Sequence, residues 1–149
     1  MADLTVTINE SVTINGALRG STNTLSITGI TDTFERVVTC PNAATTTIAT
    51  FSSNVYDSAG AIDAENVKYI RVSNLSDTYD IEIGVAGAAS NYSILVPALN
   101  SHIIARADNV MLAEADAVPT YGSLADITKL EVRPTASNDV DVEIFVASI

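Results

Sequence analysis

Asp139-Val140-Asp141-Val142-Glu143-Ile144-Phe145-Val146 is the most regular stretch of the chain. Val140, Val142, Ile144 and Val146 fall on one side of an extended backbone, and Asp139, Asp141 and Glu143 on the other. Side chains alternate sides in a strand, so this pattern predicts one buried and one wet face, as in an antiparallel sheet. A helix would scatter the same residues around its axis.

Working outward, the pattern recurs. Tyr79-Asp80-Ile81-Glu82-Ile83-Gly84-Val85 sends Tyr79, Ile81, Ile83 and Val85 to one side. Leu4, Val6 and Ile8 alternate with Thr5 and Thr7. Val67-Lys68-Tyr69-Ile70-Arg71-Val72 is a third such run, in which either side is apolar enough to be the buried one. Further strands are predicted at Leu25–Ile30, Thr33–Thr39, Thr46–Phe51, Tyr92–Val96, His102–Arg106, Val110–Leu112 and Ile127–Val132. Between them lie turn residues. Asn15-Gly16 suits a hairpin because both residues tolerate positive φ. Asn74 to Asp77 reads as a polar turn, Gly84 to Ser90 as a small flexible link, and Pro97 and Pro134 as strand ends. Short helical pieces are expected at most at Asn109–Ala115, which reads equally as strand, and at Ser123–Asp126 with Ser123 as cap. Many short strands at such spacing predict an all-β, antiparallel β-sandwich, jelly-roll-like, with residues 1–149 as one domain. Residues 1–30 are rich in Thr and Asn; they read as its first hairpin or as an arm that contacts a neighbouring subunit.

Composition narrows the function. Seven basic against eighteen acidic residues give a formal net charge of -11. That field repels a phosphate backbone, and the basic residues form no cluster, so no nucleic-acid partner is expected. The first residues lack the basic and apolar regions of a secretory signal peptide, and no apolar run reaches the roughly 20 residues that span a bilayer, so no membrane partner is expected either. Hydrophobic residues reach 47% and charged residues only 17%, which suits a folded domain with a neutral polar surface of Thr, Ser and Asn.

Chemistry is thinly provided. His102 is the only histidine and sits in the apolar stretch Ser101-His102-Ile103-Ile104, where it reads as a core or edge residue. Cys40 is the only cysteine, so no internal disulfide can form; it reads as a small buried hydrophobe. One Cys and one His cannot build a structural zinc site. Asp57, Asp63 and Glu65 share a loop with oxygen ligands suited to calcium, yet outside the EF-hand pattern, and read as a solvated loop. No Gly-x-Ser-x-Gly elbow and no phosphate loop occur. No catalytic residue, cofactor or metal is therefore expected, and the chain is read as not an enzyme.

One resemblance adds to this. Lys68-Tyr69-Ile70-Arg71-Val72-Ser73-Asn74-Leu75-Ser76-Asp77 followed by Ile81-Glu82-Ile83 and Gly87, together with Thr33-Phe34-Glu35-Arg36-Val37-Val38-Thr39 and the closing acidic-apolar strand, resembles a class of bacteriophage virion proteins known mainly from marine and cyanobacterial phages. The likeness spans roughly residues 30–149. It implies a capsid decoration (cement) protein, made in the host cytoplasm and carried on the virion surface. Its implied partners are the major capsid protein and itself, as a homotrimer. The contact expected from the residues is the apolar row Leu4, Val6 and Ile8, available for strand addition to a neighbour. The competing expectation is a tail, fibre or vertex module that recognises a glycan or receptor.

Overall fold

A computed structural model describes residues 2–54, 60–87, 91–108 and 124–149. The strands, in chain order, are β1 (Ala2–Asn9), β2 (Val12–Ile14), β3 (Ala17–Arg19), β4 (Thr22–Ile30), β5 (Asp32–Cys40), β6 (Thr46–Ser52), β7 (Ile62–Asp63), β8 (Val67–Asn74), β9 (Ile81–Gly87), β10 (Asn91–Val96), β11 (Ser101–Ile104), β12 (Ile127–Pro134) and β13 (Val140–Ser148). A single 3-10 turn, Ala64–Asn66, precedes β8. Two sheets face each other in an all-β sandwich. One has the order β10-β9-β12-β6-β7 and the other β11-β8-β13-β5. Among the described residues all pairs are antiparallel except the short β6–β7 pair.

The reason for the sandwich is visible in β13. Val142, Ile144 and Val146 are fully buried against the opposite sheet, while Asp141 points outward and accepts a hydrogen bond from Thr39 Oγ1 at 2.6 Å. Ile81, Ile83 and Val85 of β9 and Leu130 and Val132 of β12 meet them from the other side. Each such side chain contributes about 1.5–3 kcal/mol by leaving water. Cys40 belongs to this core, and burial pushes its thiol pKa up.

The two-sided apolar character of β8 has a physical reason. Ser148 pairs with Val67 and Ala147 with Tyr69, so Lys68 is an extra residue in a β-bulge. The bulge reverses the alternation. Val67, Ile70 and Val72 all face the core, and Tyr69 turns to the outer face, where it is nevertheless only 5% exposed. Arg71 and Ser73 follow it outward, and Arg71 pairs with Glu143 of β13 at 2.8 Å.

Asn74 ends β8 and holds three connections. Its side-chain amide donates to the carbonyls of Tyr79, Val96 and Pro97, and its Oδ1 accepts from the Ser76 N–H at 3.0 Å. At 2% exposure it is a buried polar residue whose partners are all supplied by backbone. The polar turn expected after β8 is thus organised from inside.

Several boundaries move. Gly84 to Gly87 do not link strands; they belong to β9, and Ala86 is buried. Their small side chains suit a strand lodged between β10 and β12, where Gly84 lies beside Glu131. Tyr79 and Asp80 precede that strand instead of starting it. The strand expected at His102–Arg106 stops at Ile104. Leu124 to Asp126 form no helical turn, and Ser123, Asn109–Ala115 and Val110–Leu112 lie outside the described residues.

Candidate functional site

Residues 2–30 form a hairpin that, among the described residues, joins neither sheet. β1 pairs only with β4, and β2 only with β3 at its tip. The register places Leu4 opposite Ile27, Val6 opposite Leu25 and Ile8 opposite Asn23, which gathers the apolar side chains on one face. Thr5, Thr7, Thr24 and Ser26 occupy the other, where the Thr7 and Thr24 hydroxyls meet at 3.5 Å.

Local chemistry explains the ribbon. Asn15 and Gly16 take φ of 51° and 77°, both positive, as a two-residue hairpin turn of the favoured twist requires. Gly20, at φ 114°, lets the chain pass close to Glu10; a Cβ there would lie 2.0 Å from the Glu10 carbonyl oxygen. The Glu10 N–H donates to the Ser21 carbonyl at 2.9 Å and carries the ladder across that point. At the base, Ala2 pairs with Ile30 but Leu4 with Ile27, so β4 bulges by one residue, with Gly29 at φ 81°. The chain then turns at Thr31, whose N–H donates to Ser148, and enters β5.

Among the described residues the ribbon is seated at its base. Leu4, Val6 and Ile27 pack on Ile30, Tyr69, Phe145 and Ala147, on the outer face of the β11-β8-β13-β5 sheet. The rings of Tyr69 and Phe145 meet edge to face there, 6.1 Å apart. From Thr7 to Ser26 every residue is exposed. Of the twelve large apolar side chains exposed among the described residues, Ile8, Val12, Ile14, Leu18 and Leu25 lie in this segment, Leu18 at 74%. An isolated two-stranded ribbon is at best marginally stable in water. Val12 and Ile14 share one face of the tip and Leu18 lies on the other; uncovered apolar side chains of this kind mark a contact surface.

Of the expected contact residues, Leu4 and Val6 are half-buried by their own chain and Ile8 stands free. Val12, Ile14, Leu18 and Leu25 were not singled out from the sequence. The signal was there: Val12-Thr13-Ile14 alternates directly before Asn15-Gly16.

The other chemical groups are dispersed. His102 faces inward on edge strand β11 opposite Val72, and burial pushes its pKa below the ordinary value. Asp63 caps the 3-10 turn through the Glu65 N–H and accepts from Asn66 Nδ2; Asp57 lies outside the described residues. Glu82, Glu131 and Arg133 line a shallow groove with Gly84 and Ser93 on the outer face of the five-stranded sheet. Both acids there are ion-paired, Glu82 with Arg133 and Glu131 with Lys129. Among the described residues no aromatic side chain lines that groove. Among the described residues no three His, Cys, Asp or Glu side chains come together as a metal site. No helix among them is long and apolar enough to cross a membrane.

Comparison with family models gives no match. Comparisons with curated proteins and with solved structures give none either.

Proposed function

We propose that this chain is a non-enzymatic structural protein of a bacteriophage particle, a decoration protein that binds the assembled capsid shell and strengthens it. The observation that carries the reading is the ribbon: ordered by its own ladder, seated at its base, and apolar along a face that no other described residue covers. A protein whose task is to hold neighbours together needs such a reaching element more than it needs a pocket. Contacts of this kind are individually weak and become strong through repetition by symmetry. The likeness of residues 30–149 to phage virion proteins points the same way. The strand order β11-β8-β13-β5 facing β10-β9-β12-β6 supports reading the sandwich as a jelly roll, an architecture used in viral capsid domains.

A glycan-binding role has less support. No described aromatic residue lines the groove beside Glu82 and Glu131, and its acids are engaged by cations.

The test is the copy number of this protein in purified particles, measured by quantitative mass spectrometry against the major capsid protein. Hundreds of copies in simple ratio to the shell protein are expected. A few copies would move the protein to a vertex or tail, and absence would end the virion reading. Removing residues 1–10 deletes β1 and leaves β4 unpaired; this variant is expected to lose shell affinity.

A further inference from the structure

The ribbon and the sandwich together form an apolar crevice of about 190 Å³, open to solvent. Val6, Ile8 and Leu25 line one wall and Tyr69, Ile103 and Ala105 the other, with Lys68 as its one charged neighbour. An apolar cavity of about 150 Å³ holds a benzene molecule, so this crevice has room for an aliphatic side chain. The ribbon tip offers such side chains. Leu18 and, on the opposite face of the ribbon, Ile14 flank the Asn15-Gly16 turn and are 74% and 55% exposed, with Leu18 the side chain furthest from cover. The turn fixes their presentation, which lowers the ordering cost of a contact.

We propose that the tip of one copy's ribbon docks into the crevice of a second copy. Two observations select this occupant. The first is charge. Each chain carries -11, but residues 2–30 hold only Asp3, Glu10 and Arg19, a net of -1 that leaves -10 on the rest. Tip and crevice are therefore the surfaces on which two copies meet with least repulsion; the tip's one charge, Arg19, is opposite in sign to the net charge of the second copy. The second is reach. Ile14 lies six positions beyond Ile8 along the ribbon, roughly 20 Å at about 3.3 Å per residue, so a tip does not fill the crevice of its own chain. Tip and crevice are different surfaces, which makes the contact head-to-tail and able to close into a ring. This rests on reading the ribbon as an assembly element, and it stands apart from whether the assembly binds a viral shell.

The experiment pairs light scattering with cross-linking on the full chain. The wild type is expected to run as a multiple of its 15.6 kDa mass at micromolar concentration. Leu18→Asp at the tip and Ile103→Asp in the crevice are each expected to give monomers with unchanged circular dichroism. If Ile103→Asp fails to fold, Ala105→Asp replaces it, because Ala105 lines the same crevice and is exposed. In a Cys40→Ala background, mixing Leu18→Cys with Ile103→Cys chains under mild oxidation is expected to yield disulfide-linked pairs of one chain of each kind. A monomeric wild type overturns the proposal, as does an oligomer that survives the tip and crevice substitutions. Cross-links confined to Leu18→Cys with Leu18→Cys mean tip-to-tip pairing and overturn it too. Ring formation by a protein absent from particles would sink the virion reading alone; monomers in high copy on particles would sink self-docking alone.

Discussion

The sandwich and the ribbon are built from the same strand grammar and stabilised in opposite ways. In β13 the apolar residues of the alternation are sealed inside, and Ile144 has no exposure at all. In β1 and β2 the same alternation leaves Ile8 at 47% and Ile14 at 55% exposure. Periodicity therefore specifies that a strand has two unlike faces; it does not specify that the apolar face is covered by the same chain. The sandwich is complete in itself, whereas the ribbon is complete only at its base.

Substitutions that remove one side chain from each region sharpen this contrast most. Ile144→Ala should lower unfolding stability by about 2–5 kcal/mol in urea denaturation, because a cavity opens between well-packed sheets. Ile14→Ala on the tip should stay within about 0.5 kcal/mol for the monomer. Equal effects would mean that the tip is covered by its own chain. Asn74→Ala comes next. It removes the donor shared by three carbonyls, and a loss of about 1–3 kcal/mol is expected, shown by a lower urea midpoint at constant m-value.

Gly20→Ala separates the regions by location. The added Cβ collides with the Glu10 carbonyl, so the tip must rearrange while the sandwich keeps its stability. Hydrogen exchange should accelerate in residues 10–21 and remain slow in β8 and β13. The smallest effect concerns His102. Burial lowers its folded pKa below the ordinary 6.5, so the unfolded chain takes up the proton first. Its contribution to stability is therefore constant at higher pH and falls as pH drops below about 6.5 towards the folded value. His102→Gln should flatten that part of a pH titration of the melting temperature.

Much of the sandwich was legible because β9 and β13 carry their own period and are bounded by turn residues. What escaped reading depended on contacts distant in sequence. The Lys68 bulge is set by how β13 registers against β8, and no local pattern announces it. Gly84 to Gly87 look like a loop until β10 and β12 are placed beside them. The site was legible in type and only partly in position. Leu4, Val6 and Ile8 share the apolar face, but Tyr69 and Phe145 take up Leu4 and Val6, leaving Ile8, Leu25 and the tip as the free surface. Which half of a stripe remains uncovered is decided by the sheet beneath it.

The place of β13 also bears on how the chain reaches this structure. It is the last strand in chain order, yet it sits between β5 and β8, pairing Ser148 with Asp32 at one side. The four-stranded sheet therefore lacks its middle until residues 140–148 have been synthesised, and the apolar flanks of β5 and β8 wait meanwhile. Closure over such a sequence separation belongs to the slow regime of folding, milliseconds to seconds. Asp139, Asp141 and Glu143, interleaved with Val140, Val142 and Ile144, put charges into that strand of the kind that oppose aggregation of a segment exposed during folding.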